Sequence, residues 1–419
     1  MKRIGVLVSV LLYVACGEPP DTAPLEPDPS ECTADSGIPT GLLPELSCAS
    51  APELCGGPLH VVHEGSWVGP LLDVLFLPEG YTEREMPLWR SHVDALSRLL
   101  LDSEPFRTYR ERFRLQRVDL ASNGNDLRNA TRTDTLFHGC VYPPLGLALN
   151  SRRIEFATKQ HVPSAAVVVL IANSSLWRGS ADFAGDTHRP VIRLSNSASL
   201  ASGVLGHELG HSLFRLGDEY AGIHSGCFEP AVPAAYMTGS FATGVANLST
   251  DSSGAQWSDL TAGAELNGNG YACGVYNPPG ACRMESNTGA FCAVCQREID
   301  SLFAAQEGRS DRRPVCDIGL SQVPSRVRGS LLIRGMFRDW NGLGSIKVRP
   351  EGTAFDVRWN GHSGGALQAD GALRPNSIVR FHATLDTTKL VNGDYPLQVE
   401  CTDALGSTTV TDVPLTVEN

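Results

Sequence analysis

The chain has few charged side chains, and acidic ones outnumber basic ones. Only 19% of its 419 residues are charged, and 46 Asp and Glu against 34 Lys and Arg give a formal net charge of −12 at pH 7. A protein that neutralises phosphates needs a basic surface, so this balance argues against a nucleic-acid partner. With 42% hydrophobic residues, the composition is typical of a folded soluble protein rather than a disordered one.

The sequence also lacks a hydrophobic run long enough to span a bilayer. Its N-terminal apolar run, residues 4–15, follows Lys2 and Arg3 and is shorter than the roughly 20 residues of a transmembrane helix. This pattern predicts an export signal over 1–16, and Cys16 is placed like the lipidated cysteine of a bacterial lipoprotein. We therefore expect export, with a lipid on Cys16 holding the protein at the cell envelope, or otherwise secretion. Residues 17–58 are expected to form a flexible tether and a cysteine-containing lead-in.

Twelve cysteines indicate an oxidising compartment. If Cys16 carries lipid, eleven remain, so at least one is free or pairs between chains. Cys292 and Cys295 have the spacing of a zinc knuckle, but no second Cys-x-x-Cys pair completes four ligands. We expect disulfides for these two cysteines rather than a metal.

Residues 59–312 show strand and helix patterns in alternation, which predicts an α/β or α+β domain. Thr82 and Glu85 form a capping-box pattern that opens a helix to about residue 101. A second helix is expected near 293–307. Strands are expected at 72–77, 113–121, 165–172 and 190–195, the last as the candidate edge strand above a cleft.

Residues 313–419 have a different texture, with short strand patterns separated by turn residues such as Asn392-Gly393. Leu397, Val399 and Cys401 alternate, as one inward-facing side of a strand does. We predict an all-β, immunoglobulin-like sandwich, with Cys316 and Cys401 as a candidate disulfide between its sheets.

The most informative motif is His-Glu-Leu-Gly-His at 207–211. On a helix, His207 and His211 lie one turn apart on the same face, where two imidazoles can share a tetrahedral metal ion. Glu208 can then reach a metal-bound water without binding the metal. A helix over about 199–216 is predicted, with Gly217 breaking it, although three glycines in it oppose helix formation by roughly 1 kcal/mol each. The alternative is a buried helix with histidines that are merely hydrogen-bonded.

Short blocks over residues 72–300 occur in a characteristic order. They are VLFLPEGYT at 74–82, Glu-Pro-Phe at 104–106, the strand at 168–173, the run from His207 to Tyr220, Trp257, GVYNP at 274–278, Cys-Arg-Met at 282–284 and FCAVC at 291–295. In this order they resemble the IgA-peptidase family of bacterial zinc metallopeptidases. The resemblance implies a zincin-like or metzincin-like catalytic domain with one catalytic Zn²⁺.

Carried over residue by residue, the resemblance implies that His207 and His211 bind zinc and that Glu208 is the general base. Asp218, eleven residues after His207, is our first choice for the third ligand, with Glu219 as the alternative. Either carboxylate could instead lie at the surface or cap a helix.

The resemblance extends to three further side chains. Met284 is the candidate methionine turn beneath the metal, with ordinary core packing as the alternative. Tyr220 and Tyr276 are candidate donors to the oxyanion, with ordinary packing as the alternative for each.

We therefore predict a zinc-dependent endopeptidase that cleaves extracellular proteins or peptides with zinc-activated water. The alternatives are a surface-anchored binding protein with an inactive peptidase-like domain, and a structural metal-binding domain. Sequence leaves the substrate and the oligomeric state open.

Overall fold

The structure is a computed structural model with a mixed α/β architecture of several sheets and few helices. It describes residues 45–125, 127, 134–142, 146–175, 179–181, 189–196, 203–224, 226–229, 244–266, 268–306, 315–318, 326–339, 343–350, 359–361, 378–403 and 406–419. The predicted signal, Cys16 and the tether up to residue 44 lie outside these ranges. None of the described helices is long and apolar enough to cross a membrane.

A six-stranded sheet forms the centre of the N-terminal part. Its strands are β1 (Leu59–Glu64), β2 (Leu72–Glu79), β3 (Phe113–Val118), β6 (Val167–Ala172), β7 (Gly179–Ala181) and β8 (Val191–Ser195), and a separate pair is formed by β4 (Cys140–Tyr142) and β5 (Gly146–Ala148). The order across the sheet is β1-β3-β2-β6-β8-β7, with β1 and β7 antiparallel to their neighbours and the inner pairs parallel. Strands β2 and β6 are buried along their whole length, as inner parallel strands are.

The described residues contain five α-helices beside the sheet: α1 (Met86–Leu101), α2 (Ser151–His161), α3 (Val204–Ser212), α4 (Arg283–Ser286) and α5 (Ala293–Gln306). The capping box predicted for α1 is present, since Glu85 Oε2 accepts from Thr82 N at 3.0 Å and from Thr82 Oγ1 at 2.7 Å. Residues 83–85 form a 3-10 turn, and Pro87 lies in the first turn of α1. Proline is tolerated there because the first helical N–H groups have no partner within the helix.

Alternate residues of β2 enter two cores on opposite faces of the sheet. Val74 and Phe76 belong to a core that also contains buried residues of α1, α3 and α5. Leu75 and Leu77 belong to the second core, with residues of α2 and with Leu54 of the lead-in. Each such apolar side chain stabilises the fold by roughly 1.5–3 kcal/mol when fully buried. Helix α3 is therefore fixed on one defined face of the sheet.

Two predictions for this region were wrong, the identity of the edge strand and the end of the histidine helix. The strand predicted at 190–195 lies between β6 and β7, so among the described strands the edge strand is β7 instead. The helix that carries the histidines ends at Ser212, not at about residue 216. The chain turns at Arg215, whose φ of 55° is in the left-handed region, and this turn brings the Leu216 carbonyl back over the helix.

The C-terminal part is all β in its described residues. Its strands are β9 (Val315–Ile318), β10 (Arg326–Val327), β11 (Ser330–Arg338), β12 (Leu343–Pro350), β13 (Trp359–Gly361), β14 (Ile378–Asp386), β15 (Gly393–Asp394), β16 (Leu397–Asp403), β17 (Thr408–Val413) and β18 (Thr416–Val417). They form sheets of order β13-β14-β11-β9, β12-β16-β17 and β10-β18-β15. A disulfide joins Cys316 of β9 to Cys401 of β16, and so connects two of these sheets. The immunoglobulin-like assignment itself stays a prediction.

Of the other described cysteines, Cys48 pairs with Cys55, Cys227 pairs with Cys273, and Cys140 is also disulfide-bonded. Cys282, Cys292 and Cys295 are free thiols. The expectation of disulfides at Cys292 and Cys295 was therefore wrong.

Glu79, at the end of β2, makes stability depend on pH. Its carboxylate is fully buried and accepts from the backbone N–H groups of Phe137 and Gly139. Burial raises its pKa to about 7, against the opposing effect of these hydrogen bonds. Because the folded pKa lies above the unfolded value, the contribution to stability is fully present below about pH 4.5 and is lost as pH rises through about 7.

We therefore expect the wild type to lose about 2–3 kcal/mol of unfolding free energy relative to Glu79→Gln between pH 5 and pH 8.5. Glutamine does not titrate. If its amide NH2 group faces a backbone N–H, the resulting loss of unfolding free energy is the same at every pH and does not affect the pH dependence of the difference. Urea unfolding of both proteins across this range measures the difference. A constant difference would contradict the assignment of the pH dependence to Glu79.

Candidate metal centre

Helix α3 carries both histidines of the motif, and its glycines allow neighbouring side chains to approach closely. A Cβ at Gly206 would lie 2.6 Å from Arg283 Nη1, and a Cβ at Gly210 would lie 2.5 Å from Met284 Sδ. The low helix propensity of these glycines is therefore offset by the packing of the 283–284 segment. This packing fixes how α3 presents His207 and His211.

Three side-chain atoms converge beside this helix. His207 Nε2 and His211 Nε2 lie 3.1 Å apart, and Asp218 Oδ1 lies 3.1 Å from the first and 3.2 Å from the second. Both imidazoles are buried, and the Asp218 side chain is 20% exposed. All three therefore meet at one point that stays open to solvent on the carboxylate side.

The hydrogen bonds of the two rings determine which nitrogen faces this point. His207 Nδ1 lies 2.9 Å from the Arg283 carbonyl oxygen, and His211 Nδ1 lies 2.7 Å from the Leu216 carbonyl oxygen. A carbonyl can only accept, so both Nδ1 atoms carry hydrogen and donate. In the neutral rings both Nε2 lone pairs then point at each other and at Asp218.

This arrangement fits a metal ion. Two lone pairs and a carboxylate at about 3 Å repel one another unless a cation lies between them. Tetrahedral zinc with nitrogen ligands places neighbouring ligand atoms about 3.3 Å apart, near the separations found here. Backbone carbonyls that hold the second ring nitrogen are also the usual support of metal-binding histidines. His207, His211 and Asp218 therefore have the donor set and spacing of a three-ligand site.

The ionisation of the centre follows from its geometry. Burial raises the pKa of Asp218, but the hydrogen bonds and charges of the two histidines, which act when the rings carry a proton on Nε2, outweigh it, so the pKa lies well below its usual range. Burial lowers the pKa of His211, yet the Asp218 hydrogen bond and charge raise it overall. Asp218 is thus a carboxylate at neutral pH, as a metal ligand must be.

Glu208 lies at the same centre without joining the three converging atoms. Its carboxyl group is buried, and burial raises its pKa against the effect of the two histidines. A Cβ at Gly179 would lie 3.2 Å from Glu208 Oε1, which places this carboxyl beside edge strand β7. Glu208 therefore faces the gap between the histidines and the edge of the sheet.

Among the remaining sequence candidates, Tyr220 lies at the centre. Its ring stacks on His207 with centroids 6.4 Å apart, and its hydroxyl is hydrogen-bonded to Asp218. Met284 is fully buried against Gly210, under the helix. Tyr276 instead pairs through its backbone with Ser249.

Glu219, the alternative third ligand, points away from the histidines. Its Oε1 atom accepts from Asn247 Nδ2 at 2.7 Å and lies 3.2 Å from Cys295 Sγ. Asp218 and Glu219 are adjacent in the chain but therefore meet different partners. Burial raises the pKa of Glu219 to about 8, and the Cys292 charge adds to the rise.

Three functional groups were not predicted from the sequence. They are the backbone carbonyls of Arg283 and Leu216, which accept from the histidines, and the side chain of Asn247, which bonds to the backbone of Gly217. Asn247 Oδ1 accepts from Gly217 N at 2.8 Å, and its Nδ2 donates to the Gly217 carbonyl at 2.8 Å. These bonds fix the backbone just before Asp218. Asn247 lies 30 residues after Gly217 in a loop without periodicity, so no local sequence pattern predicts this contact.

Comparisons with known structures give only weak likenesses. They include an endo-beta-1,4-mannanase from Thermotoga petrophila (15% identity, 38% of this chain and 30% of that one, TM-score 0.20). A second is the GspB Siglec domain (16% identity, 26% of this chain and 58% of that one, TM-score 0.18). A third is the SrpA adhesin from Streptococcus sanguinis (13% identity, 25% of this chain and 56% of that one, TM-score 0.18). This chain spans less than two thirds of each of these proteins. No curated protein matches the chain.

A protein-family model gives the informative match. The model described as IgA Peptidase M64 matches residues 62–263, a segment that contains the central sheet, helix α3 and Asp218. The three free cysteines lie beyond the matched segment. Over residues 62–263, slightly less than half of the chain, the protein is therefore similar to the IgA peptidase M64 family of metallopeptidases.

Proposed function

We propose that the protein is an exported, zinc-dependent endopeptidase that hydrolyses extracellular proteins or peptides. The observation that carries this proposal is the meeting of His207, His211 and Asp218 at one point beside the carboxyl group of Glu208. The family match to a metallopeptidase supports it independently.

In this proposal His207 Nε2, His211 Nε2 and an Asp218 oxygen hold one zinc ion. When bound, zinc lowers the pKa of a water molecule and polarises the carbonyl of the scissile bond. The Arg283 and Leu216 carbonyls keep both rings in the tautomer that offers Nε2. Tyr220 orients Asp218 through its hydroxyl group.

Glu208 is the proposed general base. It lies one residue after His207, so it shares the centre, but the three ligand positions are supplied by other side chains. Its carboxylate takes a proton from the attacking water and gives it to the amine of the leaving peptide. Burial beside Gly179 keeps the carboxylate close to where the peptide must lie.

The substrate backbone is proposed to pair with the edge strand β7. An extended peptide can add to a sheet edge through main-chain hydrogen bonds. Gly179 of β7 has no side chain, and a Cβ there would come within 3.2 Å of Glu208 Oε1. A peptide paired with β7 would therefore bring its backbone to the base.

Export remains a proposal based on the N-terminal sequence. The described disulfides, Cys48–Cys55, Cys227–Cys273 and Cys316–Cys401, support folding in an oxidising compartment. Lipidation of Cys16 would then place the enzyme at the cell envelope.

The experiment measures hydrolysis of a labelled, unfolded protein by the purified chain, with and without a chelator, and zinc bound per chain. We expect activity in the wild type, its loss on chelation and its return on adding zinc. His211→Ala should lose both the activity and the zinc ion of this centre, because one of three ligands is gone.

The matched control is His60→Ala, which removes an exposed histidine on β1. It should keep both activity and zinc. If the wild type binds zinc through His211 but cleaves no protein, the peptidase proposal fails and the binding-protein alternative is supported.

A further inference from the structure

A second cluster of ligand-type side chains lies apart from the histidines. It consists of Glu219, Cys282, Cys292 and Cys295, which offer one ligand atom each within 4.8 Å of one another. Cys282 Sγ and Cys295 Sγ are 3.7 Å apart, and Glu219 Oε1 lies 3.2 Å from Cys295 Sγ and 3.8 Å from Cys292 Sγ. We call these four residues the thiol cluster.

The spacing of the thiol cluster fits a tetrahedral ion. With zinc–sulfur bonds of about 2.3 Å, two sulfur ligands lie about 3.8 Å apart. The separation between Cys282 and Cys295 is close to this value, without a disulfide between them. Four convergent protein donors also leave no open position, which is the pattern of a structural site.

Burial gives a second, independent observation. The Glu219 side chain is completely buried, and its Oε2 atom has no hydrogen-bond partner among the described residues. Cys282 and Cys295 are also buried, while Cys292 is half-buried. A buried carboxylate oxygen without a partner costs about 1–3 kcal/mol or more, so it calls for a ligand that completes its bonding.

We propose that the thiol cluster binds a second metal ion, zinc by the chemistry of its donors, at a closed structural site distinct from the histidine centre. Three soft sulfur ligands and one carboxylate select zinc over hard cations such as magnesium or calcium. Binding releases the thiol protons, and the Cys292 N–H, which lies 3.2 Å from Cys282 Sγ, helps to stabilise the thiolate.

Two short segments connect the thiol cluster to the histidine centre. Glu219 directly follows Asp218, and Cys282 directly precedes Arg283, whose carbonyl oxygen accepts from His207 Nδ1 at 2.9 Å. The segments are also joined to each other, because Glu219 N donates to the Met284 carbonyl at 2.9 Å. A metal ion in the thiol cluster would therefore position both Asp218 and the carbonyl that orients His207.

Cobalt provides the test, because Co²⁺ replaces zinc and thiolate ligands give an intense sulfur-to-cobalt absorption in the near ultraviolet. The metal-free full chain, protected from oxidation so that the cluster thiols stay free while the disulfides stay formed, is titrated with Co²⁺ alone. We expect the wild type to bind two ions and to show this absorption. His211→Ala should bind one ion and keep the absorption, whereas Cys295→Ser should bind one ion and lose it.

The neighbouring pair Asp218→Ala and Glu219→Ala gives a matched comparison. Asp218→Ala should leave the cobalt affinity of the thiol cluster unchanged, while Glu219→Ala should weaken it at least tenfold. Neither readout depends on hydrolysis, so an inactive protein that shows the absorption would sink the peptidase proposal and leave this one standing.

Two results would overturn the second site. One is a cobalt-loaded wild type that lacks the sulfur-to-cobalt absorption although its thiols are reduced. The other is a denatured, non-reduced chain in which only one of Cys282, Cys292 and Cys295 can be alkylated, since a disulfide within the cluster would leave one of these three cysteines free. Because the wild type and His211→Ala carry the test, a Cys295→Ser chain that fails to fold does not weaken it.

Discussion

The Glu208→Gln variant should lose about 10²–10⁴-fold in kcat/KM while it keeps its zinc. Glutamine has the same shape but cannot accept the proton of the attacking water. The ligands His207, His211 and Asp218 are untouched, so metal binding should continue. Hydrolysis kinetics and zinc content, measured on the same preparation, test both parts of the expectation.

The control for this variant is Glu285→Gln, the same substitution at an exposed position of helix α4. Glu285→Gln should keep the kcat/KM and the zinc content of the wild type. A Glu208→Gln enzyme that retains near-normal turnover would remove Glu208 from the mechanism. A variant that also loses its zinc would show that Glu208 supports the metal instead of the proton transfer.

The Gly203→Ala variant should lose about 2–5 kcal/mol of unfolding free energy. Gly203 precedes helix α3 with a φ of 96°, where a residue with a Cβ is disfavoured by about 1–2 kcal/mol. A Cβ there would also collide with the carbonyl oxygen of Asn287, and overpacking of this kind costs about 1–3 kcal/mol more. Urea unfolding measures the total loss.

Gly222→Ala separates the two contributions. Gly222 has a φ of 103°, but a Cβ there would meet no atom within 4 Å. This control should therefore show only the backbone cost of about 1–2 kcal/mol. Equal losses of unfolding free energy in the two variants would contradict this prediction. They would mean that the backbone at Asn287 moves away from the new Cβ without destabilising the protein, and that the start of α3 is less tightly packed than its geometry indicates.

Much of the fold around the centre could be predicted because its signals are local. The apolar run at 72–77 forms the inner strand β2, and the capping box of Thr82 and Glu85 opens the segment that leads into α1. The pairing of His207 with His211 also follows from the helical repeat alone. Periodicity and capping act over a few residues, so one sequence reveals them.

The rest depends on contacts between distant parts of the chain. Strand β7 is three small residues, which have no strand pattern of their own. The turn that ends α3 uses Arg215 at positive φ, although Gly217 is the residue type that favours such a turn. Cys282 lies ten residues before Cys292, so the spacing rule for cysteine pairs did not reveal that both meet Glu219.

The carbonyls that hold His207 and His211 have a consequence for which ion the chain receives. The Arg283 and Leu216 carbonyls orient the two rings through backbone hydrogen bonds, which form as the chain folds and do not need an ion at the histidine centre. Such a site takes up its ion after folding, unlike a zinc finger, whose folding requires the metal. Divalent ions compete for nitrogen and oxygen ligands in an order that these ligands do not change. The relative supply of those ions where the finished protein resides therefore decides which one occupies it.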